Sequence, residues 1–354
     1  MAVTTFANVL EIRNGRNQSE VESPEGAYPI YGSGGIMGRA NSFICPANTV
    51  VIGRKGSINK PIFVEEPFWN VDTAFGLVAD ETKLLPRYLY YFCVYYDFEK
   101  LNTTVTIPSL TKANLLKIEI NLPDISTQQQ IVETLDQIES ILSSRQRQLR
   151  TLDTLIKARF VEMFGDAKQE DTLLNLCNII DYRGKTPEKV EDGLPFITAK
   201  NVRMHQLSIE PREYISKETY NSVMTRGFPR EGDVVFTTEA PLGNVCRLPH
   251  FDTEFYVGQR IVTLQTKKLV PAYLEYALDT DEFRRKVEGK SSGSTVMGIR
   301  VRLLEQLSIP VPNRASQEQF SAFVSQVDKS KLSIQQGLEK LETLKKSLMQ
   351  QYFG

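Results

Sequence analysis

The stretch that decides the fold is TQQQIVETLDQIESILSSRQRQLRTLDTLIKARFVEMFG, at residues 127–165. It recurs as SQEQFSAFVSQVDKSKLSIQQGLEKLETLKKSLMQQYFG at residues 316–354. The two copies align without a gap, because the offset from Thr127 to Ser316 at one end equals the offset from Gly165 to Gly354 at the other. Equal length without identical sequence indicates that the length itself matters.

Each copy is typical of one long helix. Thr127 with Gln130, and Ser316 with Gln319, predict capping boxes at the two N-termini. A glycine, Gly165 in the first copy and Gly354 in the second, suits a C-terminal cap. At 1.5 Å per residue, each helix would be roughly 55 Å long.

The apolar residues of both copies follow the alternating four-and-three steps of a heptad seam. They are Ile131, Leu135, Ile138, Leu142, Leu149, Leu152, Ile156 and Met163, and then Phe320, Val324, Val327, Ile334, Leu338, Leu341 and Leu348. Charges interrupt the seam at non-equivalent places: Arg145 and Arg159 in the first copy, Lys331 and Lys345 in the second. A homodimeric coiled coil and pairing of the two copies within one chain both fit this pattern.

The repeat continues outside the helices in weaker form. NTVVI at 48–52 matches GDVVF at 232–236, and the polar turns GRKGSINK at 53–60 and TTEAPLGN at 237–244 follow. LLPRYLYYF at 84–92 matches LVPAYLEYAL at 269–278, with a proline suited to the first helical turn. The order is therefore domain, helix, domain, helix. Runs of β-type residues broken by Gly, Pro and Asn predict mainly β domains with a few helices.

This order predicts antiparallel helices with one domain at each end and a pseudo-two-fold axis between them. A two-fold object of this size suits a two-fold ligand, and duplex DNA spaces half-sites by about 34–36 Å per turn. Net charge is −1, and Lys plus Arg balance Asp plus Glu at 20 each within residues 167–312. A nucleic-acid surface would therefore depend on local segregation of charge.

Composition places the chain among ordinary globular proteins, with 24% charged and 41% hydrophobic residues. No apolar run is long enough to span a bilayer, and the N-terminus does not resemble a secretion signal, so we expect a cytoplasmic protein without membrane contact. Cys45, Cys93, Cys177 and Cys246 are scattered without CxxC spacing, which predicts reduced, buried thiols. Two isolated histidines predict no zinc site.

Motifs for catalysis and cofactor binding are missing. The sequence has no Walker-type GxxxxGK[ST], no GxGxxG before a helix, no HExxH and no GxSxG. It also lacks the Asn-Pro-Pro-aromatic tetrapeptide with which amino-methyltransferases of DNA hold a flipped base. We therefore expect a chain with no catalytic residues, no metal and no cofactor of its own.

Several polar loops have the composition of nucleic-acid contacts. RKGSINK at 54–60 is either a surface turn or a DNA-contacting loop. Gln259 and Arg260 either read adenine and guanine or pair across a strand. The hydroxyl-rich stretches 102–106 and 291–295 suit phosphate contacts. The aromatic run at 88–98 is more typical of a helix core than of a base-stacking platform.

Taken together, these residues resemble the specificity (S) subunits of type I DNA restriction-modification systems. The resemblance lies in YPIYGSGGI at 28–36, VVIGRKGSI at 50–58, IPSLTK at 107–112 and PDISTQQQIV at 123–132. In the second half it lies in GDVVF at 232–236, VGQR at 257–260 and IPVPN at 309–313. It covers the whole chain, and the domain-helix-domain-helix order is its most specific part.

The resemblance implies an α+β fold with two mainly β or mixed target recognition domains, two long antiparallel coiled-coil helices and an internal pseudo-two-fold repeat. The expected domains are 1–124 and 167–312, and the expected spacer helices are 125–166 and 313–354. Each domain would read one half of a split site in double-stranded DNA. The helices would set the spacer and dock two methyltransferase (M) subunits, which carry S-adenosylmethionine. A restriction (R) subunit would add ATP- and Mg-dependent translocation and cleavage.

The resemblance does not assign base-reading residues, so the DNA contacts that we expect rest on loop chemistry. They are Ser33, Arg54, Lys55, Ser57, Asn59, Lys60, Thr104, Thr106, Lys112, Lys185, Lys200, Asn201, Thr237, Thr238, Gln259, Arg260, Ser292, Ser294 and Arg300. Leu155, Leu332 and Leu344 lie off the seam and are expected to dock the M subunits. Two other interpretations are the recognition part of a single-chain restriction-methylation enzyme and a structural coiled-coil adaptor.

Overall fold

The computed structural model describes residues 2–101, 109–167, 169–182, 184, 187–293 and 296–354. The chain forms two compact units, and each is described by itself. The first unit combines Met1–Arg147 with Ile334–Gly354, and the second unit is Gln148–Ser333.

The first unit is an α+β domain together with the start of one long helix and the end of the other. Its strands are β1 (Ala2–Thr5), β2 (Leu10–Asn14), β3 (Tyr28–Gly32), β4 (Gly35–Ala40), β5 (Thr49–Gly53), β6 (Ile62–Val64), β7 (Trp69–Asn70), β8 (Ala74–Ala79) and β9 (Glu119–Leu122). Its helices are α1 (Pro86–Tyr95), α2 (Lys112–Leu115), the first part of α3 (Ile125–Phe164) and the last part of α9 (Arg314–Phe353), with 3-10 turns at Phe6–Asn8 and Phe98–Leu101.

The second unit contains the corresponding elements. Its strands are β10 (Glu170–Thr172), β11 (Cys177–Asp181), β12 (Leu194–Ile197), β13 (Val202–Arg203), β14 (Gln206–Leu207), β15 (Tyr214–Ile215), β16 (Val234–Thr237), β17 (Val245–Arg247), β18 (Tyr256–Val257), β19 (Ile261–Thr266) and β20 (Ser308–Pro310). Its helices are the last part of α3 (Ile125–Phe164), α4 (Leu173–Leu176), α5 (Lys217–Val223), α6 (Pro271–Ala277), α7 (Asp281–Glu288), α8 (Val301–Leu304) and the first part of α9 (Arg314–Phe353).

Sheet topology confirms the internal repeat. The order β2-β8-β5-β6 in the first unit matches β11-β19-β16-β17 in the second, and both sheets are antiparallel. The parallel pair β3–β7 matches β12–β18. The antiparallel pair β1–β9 matches β10–β20, and in each unit the second strand of this pair leads directly into a long helix.

The central strands β5 and β16 are buried along their whole length, and both are rich in Val, Ile or Phe. In β5, Val50 and Ile52 pack under α1, whereas Val51 faces a second cluster that includes Phe68. The helices α1 and α6 both begin at the expected proline, Pro86 or Pro271. The aromatic residues of α1 form helix core, as the sequence indicated.

The long helices begin earlier than the capping-box pattern predicted. The Asp124 carboxylate accepts a hydrogen bond from Thr127 N (2.7 Å), and the Asn313 amide oxygen accepts one from Ser316 N (2.9 Å). The cap is therefore the Asx residue three positions before the expected Thr or Ser. The prediction of the cap at Thr127 was wrong because a short acceptor directly after a proline reaches the free N–H groups of the first turn.

The seam residues pack inside each unit. In the first unit, Ile131 and Leu135 of α3 share one core with Met349 and Phe353 of α9. In the second unit, Ile156 of α3 shares one core with residues of α9, led by Phe320, Val324 and Val327. The start of one helix therefore packs against the end of the other, and the pairing is antiparallel.

The lysines that interrupt the seam are paired with carboxylates of α3. Lys345 bonds Glu139 in the first unit, and Lys331 Nζ lies 2.6 Å from Asp153 Oδ1 in the second. From the first pair to the second, the residue number increases by 14 on α3 (139 to 153) and decreases by 14 on α9 (345 to 331). Both units thus use the same antiparallel register, and the chain supplies its own partner for each half-buried ammonium group.

All four cysteines are free and buried. Burial raises the pKa of the Cys45 thiol to about 12 and that of Cys177 to about 12, so these side chains are unreactive core residues. Among the described helices, none combines the length and apolar character that crossing a lipid bilayer requires.

Candidate nucleic-acid interface

Three loops meet at the end of the central strand β5 in the first unit. Arg54 N donates to Thr73 O (2.8 Å), and Leu110 N donates to Arg54 O (2.9 Å). Lys55 forms a β-bridge with Ser109. The loop after β5, the turn before β8 and the loop before α2 are thereby tied together at one place.

The second unit builds the same arrangement at the end of β16. Thr238 N donates to Arg260 O (2.9 Å), Ile299 N donates to Thr238 O (2.9 Å), and Glu239 forms a bridge with Gly298. We call this arrangement the three-loop junction: residues 54–55, 73 and 109–110 in the first unit, and 238–239, 260 and 298–299 in the second. Its backbone hydrogen bonds are equivalent in the two units.

The side chains at the two junctions differ. Arg54 and Lys55 are exposed on the first loop of the first unit, and Arg54 Nη1 lies 3.5 Å from Asp72 O. At the matching positions the second unit has Thr238 and Glu239, and its exposed arginine, Arg260, comes from the neighbouring turn. Arg260 Nε lies 2.9 Å from Glu239 Oε1. Each junction therefore presents an arginine, but in the first unit it comes from the loop after the central strand and in the second unit from the turn before β19.

Gly53 allows two further predicted residues to approach the first junction. A Cβ atom at this position would lie 2.5 Å from Ser57 O and 3.1 Å from Ser33 Cβ, so no larger residue fits. Ser33 is at the tip of the β3–β4 hairpin, and Ser57 lies within the loop after β5. The structure thus brings Ser33, Arg54, Lys55 and Ser57 together.

The remaining described candidates of the first unit have other partners or positions. The Asn59 amide accepts from Phe98 N (2.7 Å) and donates to Asp97 Oδ1 (2.8 Å), which lowers the pKa of Asp97. Lys112 Nζ donates to Ile12 O (2.7 Å). Asn59 and Lys112 therefore hold loops in place, and Lys60 is exposed beside Asn59.

Three predicted contacts of the second unit are buried, so the structure contradicts their role as direct DNA contacts. Asn201 is 2% exposed, accepts from the backbone and hydroxyl of Thr198 (both 2.9 Å), and donates to two backbone carbonyls. The Thr237 hydroxyl accepts from Asn244 N (2.8 Å), and Thr238 is 3% exposed. Local hydrogen bonds occupy the Asn201 and Thr237 side chains, and the backbone pairing of Thr238 with neighbouring loops buries that residue. Composition does not reveal these partners.

Lys200, Gln259 and Arg260 line one cavity of about 220 Å³ beside the second junction. Its wall also includes Glu213 and Lys189, whose Nζ lies 2.8 Å from Glu213 Oε2. That distance suits an ion pair, although the two groups are not aligned as a hydrogen bond. The cavity combines cationic, amide and carboxylate groups, which are the side chains that recognise base edges.

Ser292 and Arg300 flank the third loop of the second junction. Ser292 exchanges backbone hydrogen bonds of 2.9 and 3.1 Å with Gly298. Arg300 is exposed and precedes α8 directly. Four other predicted contacts lie outside the described residues: Thr104, Thr106, Lys185 and Ser294.

Three further members of this site, Glu239, Glu213 and Lys189, were not predicted from the sequence. Glu239 could have been found from the repeat, because it occupies the place of Lys55 in the aligned turns TTEAPLGN and GRKGSINK. Glu213 and Lys189 carried no comparable signal. Across the described ranges, no group of His, Cys, Asp or Glu side chains is placed to hold a metal ion.

The leucines expected to dock a partner are exposed on the long helices. Leu155 is 46%, Leu332 55% and Leu344 48% exposed. Leu155 and Leu344 occupy equivalent places in the repeat, since each lies ten positions before the glycine that ends its copy, Gly165 or Gly354. An exposed leucine at the same position of both helices fits the docking prediction without testing it.

Comparison with known proteins agrees with this architecture. Residues 1–152 and 169–345 match the family described as the type I restriction modification DNA specificity domain. Because the match covers most of the chain, the protein belongs to the family of type I restriction-modification specificity subunits.

Individual relatives are distant. The type I restriction enzyme MjaVIII specificity subunit of Methanocaldococcus jannaschii is 22% identical over 284 residues, which is 72% of this chain and 65% of that protein, just under two thirds of its length. The S subunit of a type I restriction-modification system from M. genitalium has a TM-score of 0.63 at 16% identity, covering 100% of this chain and 96% of that one. A chain from a structure on complex assembly and conformational transition of the type I R-M system has a TM-score of 0.59 at 16% identity, covering 99% and 97%. These two structures share the fold.

Proposed function

We propose that this chain is the DNA-reading subunit of a type I restriction-modification complex and that each recognition domain reads one half of a bipartite site in double-stranded DNA. The observation that carries the proposal is the three-loop junction. The same backbone hydrogen bonds form the junction in both units. Its side chains differ in charge, and the exposed arginine comes from a different loop in each unit. A common frame with different side chains suits the recognition of two different half-sites.

The side chains at each junction match the chemistry of base and phosphate recognition. Arg54 and Arg260 have the planar donors that bind guanine O6 and N7 bidentately. Glu239 orients Arg260 through their ion pair and offers an acceptor for a cytosine amino group. Lys55 and Lys200 are exposed cations suited to phosphates, which position a protein on DNA without carrying sequence information.

The long helices fit the remaining roles of such a subunit. We infer that α3 and α9 set the spacer between the half-sites, because their salt bridges and seam fix one antiparallel register in both units. We also infer that two methyltransferase subunits dock on the exposed leucines and that restriction subunits join the same complex. The chain itself would be non-catalytic and cytoplasmic. S-adenosylmethionine would belong to the methyltransferase partner, and ATP with Mg to the restriction partner.

The test is to identify, by sequencing, the sites methylated by the chain together with its methyltransferase subunit. The unmodified chain is expected to yield one bipartite motif. Arg54→Ala should relax one base position in one half of that motif, and Arg260→Ala should relax one position in the other half. Each lost bidentate contact corresponds to about 1–3 kcal/mol of discrimination, or roughly 5- to 150-fold.

Matched controls are Lys117→Ala in the first unit and Arg302→Ala in the second, since both residues are exposed outside the junctions. Neither control should alter the motif. If Arg54→Ala and Arg260→Ala affected the same half-site, the assignment of one domain to each half would be wrong. An unmodified complex that methylates without a bipartite motif would contradict the proposal as a whole.

A further inference from the structure

Gln128 in α3 is completely buried and forms three hydrogen bonds that join the helix to the recognition domain. Its Oε1 accepts from Leu85 N (2.8 Å), and its Nε2 donates to Lys83 O (2.9 Å) and Pro123 O (2.9 Å). Leu85 is the residue just before α1, and Pro123 is the residue just after β9. One amide group therefore links the domain helix, the last strand and the start of the long helix.

Gln317 forms two of the three corresponding hydrogen bonds in α9. It is 2% exposed, its Oε1 accepts from Val270 N (2.9 Å), and its Nε2 donates to Pro312 O (2.8 Å). Val270 is the residue just before α6. Gln128 and Gln317 are both the second residue of their copy of the long stretch, so they are equivalent in the repeat. Neither was singled out by sequence, because each is one of several similar polar residues in its first helical turns.

A second hydrogen bond accompanies each glutamine. Tyr88 OH of α1 donates to Asn121 O (2.9 Å), and Tyr273 OH of α6 donates to Pro310 O (2.7 Å). Both tyrosines are fully buried. We call these contacts the domain joint: Gln128 with Tyr88 in the first unit, and Gln317 with Tyr273 in the second.

The joint adds direction to contacts that are otherwise apolar. The surrounding core, which includes Phe320 and Tyr273 in the second unit, is held by burial, and burial does not depend on orientation. Hydrogen bonds are directional, and their strength falls steeply when the angle deviates. A buried amide with each polar atom engaged therefore allows only one angle between the domain and its helix.

We propose that Gln128 and Gln317 are positioning residues that fix the orientation of each recognition domain on its long helix and so determine how strictly one spacer length is read. The inference rests on the proposed function, because it takes the domains to be the reading heads. Successive base pairs are about 3.4 Å apart, so a small rotation of a domain about its joint is enough to reach a neighbouring base pair.

The experiment replaces each glutamine by a residue of similar size without polar atoms, Gln128→Met or Gln317→Met, in the chain assembled with its methyltransferase subunit. Sequencing of methylated sites is expected to show the original half-sites with at least about a tenfold increase in sites whose spacer is one base pair longer or shorter. Gln129→Met and Gln319→Met are matched controls, since both residues are exposed on the same helical turns, and they should leave the spacer unchanged.

Two further measurements separate positioning from folding. Tyr88→Phe and Tyr273→Phe remove one joint hydrogen bond and leave the ring packing intact, so they should relax the spacer to a smaller extent. Hydrogen exchange should accelerate near Leu85 in Gln128→Met and stay slow across β5 and β8. Loss of protection throughout the domain would overturn the inference, because the glutamine would then hold the domain together rather than orient it.

A strictly unchanged spacer in both methionine variants would also overturn the inference. Failure of the proposed function looks different, because the unmodified complex itself would then show no bipartite motif.

Discussion

Lys331 Nζ of α9 lies 2.6 Å from Asp153 Oδ1 of α3, at a seam position where a coiled coil normally has an apolar side chain. The lysine is 18% exposed and the aspartate 49% exposed, so the pair is partly accessible to water. In the other copies of the repeat, Leu142 stands at the place of Lys331 and Glu342 at the place of Asp153. The first unit therefore has no equivalent of this ion pair at these two positions. A charge at one seam position favours a single register over neighbouring ones.

This pair predicts a charge-reversal effect. Lys331→Glu places two carboxylates side by side and should lower the free energy of unfolding by about 1 kcal/mol, a modest effect because the pair is partly exposed. The double variant Asp153→Lys with Lys331→Glu should recover most of that loss. Urea unfolding of the four chains in a double-mutant cycle measures the coupling. Independent, additive effects would show that the ion pair does not contribute.

A second prediction concerns His205, whose two ring nitrogens both face carboxylates. Nδ1 lies 3.0 Å from Glu275 Oε1 and Nε2 2.9 Å from Asp279 Oδ2, and the ring stacks on Tyr276 with centroids 4.1 Å apart. Burial alone would lower the pKa of His205, but the hydrogen bonds to Asp279 and Glu275 outweigh it and raise the pKa above its ordinary value of 6.5. Asp279 also pairs with Lys157 of α3 and Arg284 of α7. Glu275 also pairs with Arg247 of β17, which in turn pairs with Asp328 of α9.

Because the pKa of His205 is higher in the folded state than in the unfolded state, protonation of this residue stabilises the fold. The stabilisation is complete below the unfolded pKa of about 6.5 and is lost as the pH rises through the folded pKa. The free energy of unfolding should therefore fall as the pH increases above 6.5. Urea unfolding at a series of pH values measures this. His205→Gln should flatten the dependence, whereas His250→Gln should not, because His250 is 69% exposed. A steep slope that persists in His205→Gln would assign the titration to another group.

The same cluster predicts a separate effect in acid. Burial would raise the pKa of Asp279, but hydrogen bonds from His205, Lys157 and Arg284 hold that pKa well below its usual range. Stability from Asp279 is present above the unfolded pKa of about 3.9 and is lost as the pH falls towards the folded value. Asp279→Asn should therefore reduce stability at neutral pH and make the stability fall less steeply as the pH decreases. Calorimetry between pH 2 and pH 5, in about half-unit steps, checks this outcome.

The exposed leucines predict the docking surface for the methyltransferase subunit. Leu155→Asp with Leu344→Asp should abolish complex formation on gel filtration and leave the circular dichroism spectrum unchanged, because both side chains are about half exposed. Thr154→Asp with Thr343→Asp adds the same charges at neighbouring positions of both helices, about 100° around the helix, and should preserve the complex. An intact complex in the leucine variant would place the docking surface elsewhere.

The spacer role predicts the effect of lengthening the helices. Four residues inserted after Ser144 and four after Ser333 extend each helix by about 6 Å and rotate it by slightly more than one turn. The spacer between the methylated half-sites should grow by about one to two base pairs, at 3.4 Å per pair, with both half-sites unchanged. Sequencing of methylated DNA measures the spacer. An unchanged spacer would show that the length of the helices does not determine the length of the spacer.

The sequence by itself determined the repeat, the two long helices, the seam and the α+β class. These features depend on local spacing: Ile131 and Leu135 fall on one helical face whatever the rest of the chain does, and Pro86 and Pro271 suit a first helical turn in any context. The matched β-type runs at 48–52 and 232–236 likewise predicted strands, and β5 and β16 lie there. The constant offset between the two copies, which needs no gap, predicted that both halves would fold alike.

Only the tertiary structure decided which polar residues are available to a ligand. Arg54, Lys55, Thr237 and Thr238 lie in aligned turns of similar polarity, yet the first two are exposed and the last two are buried. The backbone hydrogen bonds do not account for that difference, because Leu110 N to Arg54 O and Ile299 N to Thr238 O are equivalent. The long side chains of Arg54 and Lys55 extend beyond their junction, whereas the short threonines stay within theirs, where the Thr237 hydroxyl accepts from Asn244 N. Burial of a polar side chain depends on the partners that the fold brings to it, and sequence spacing does not identify those partners.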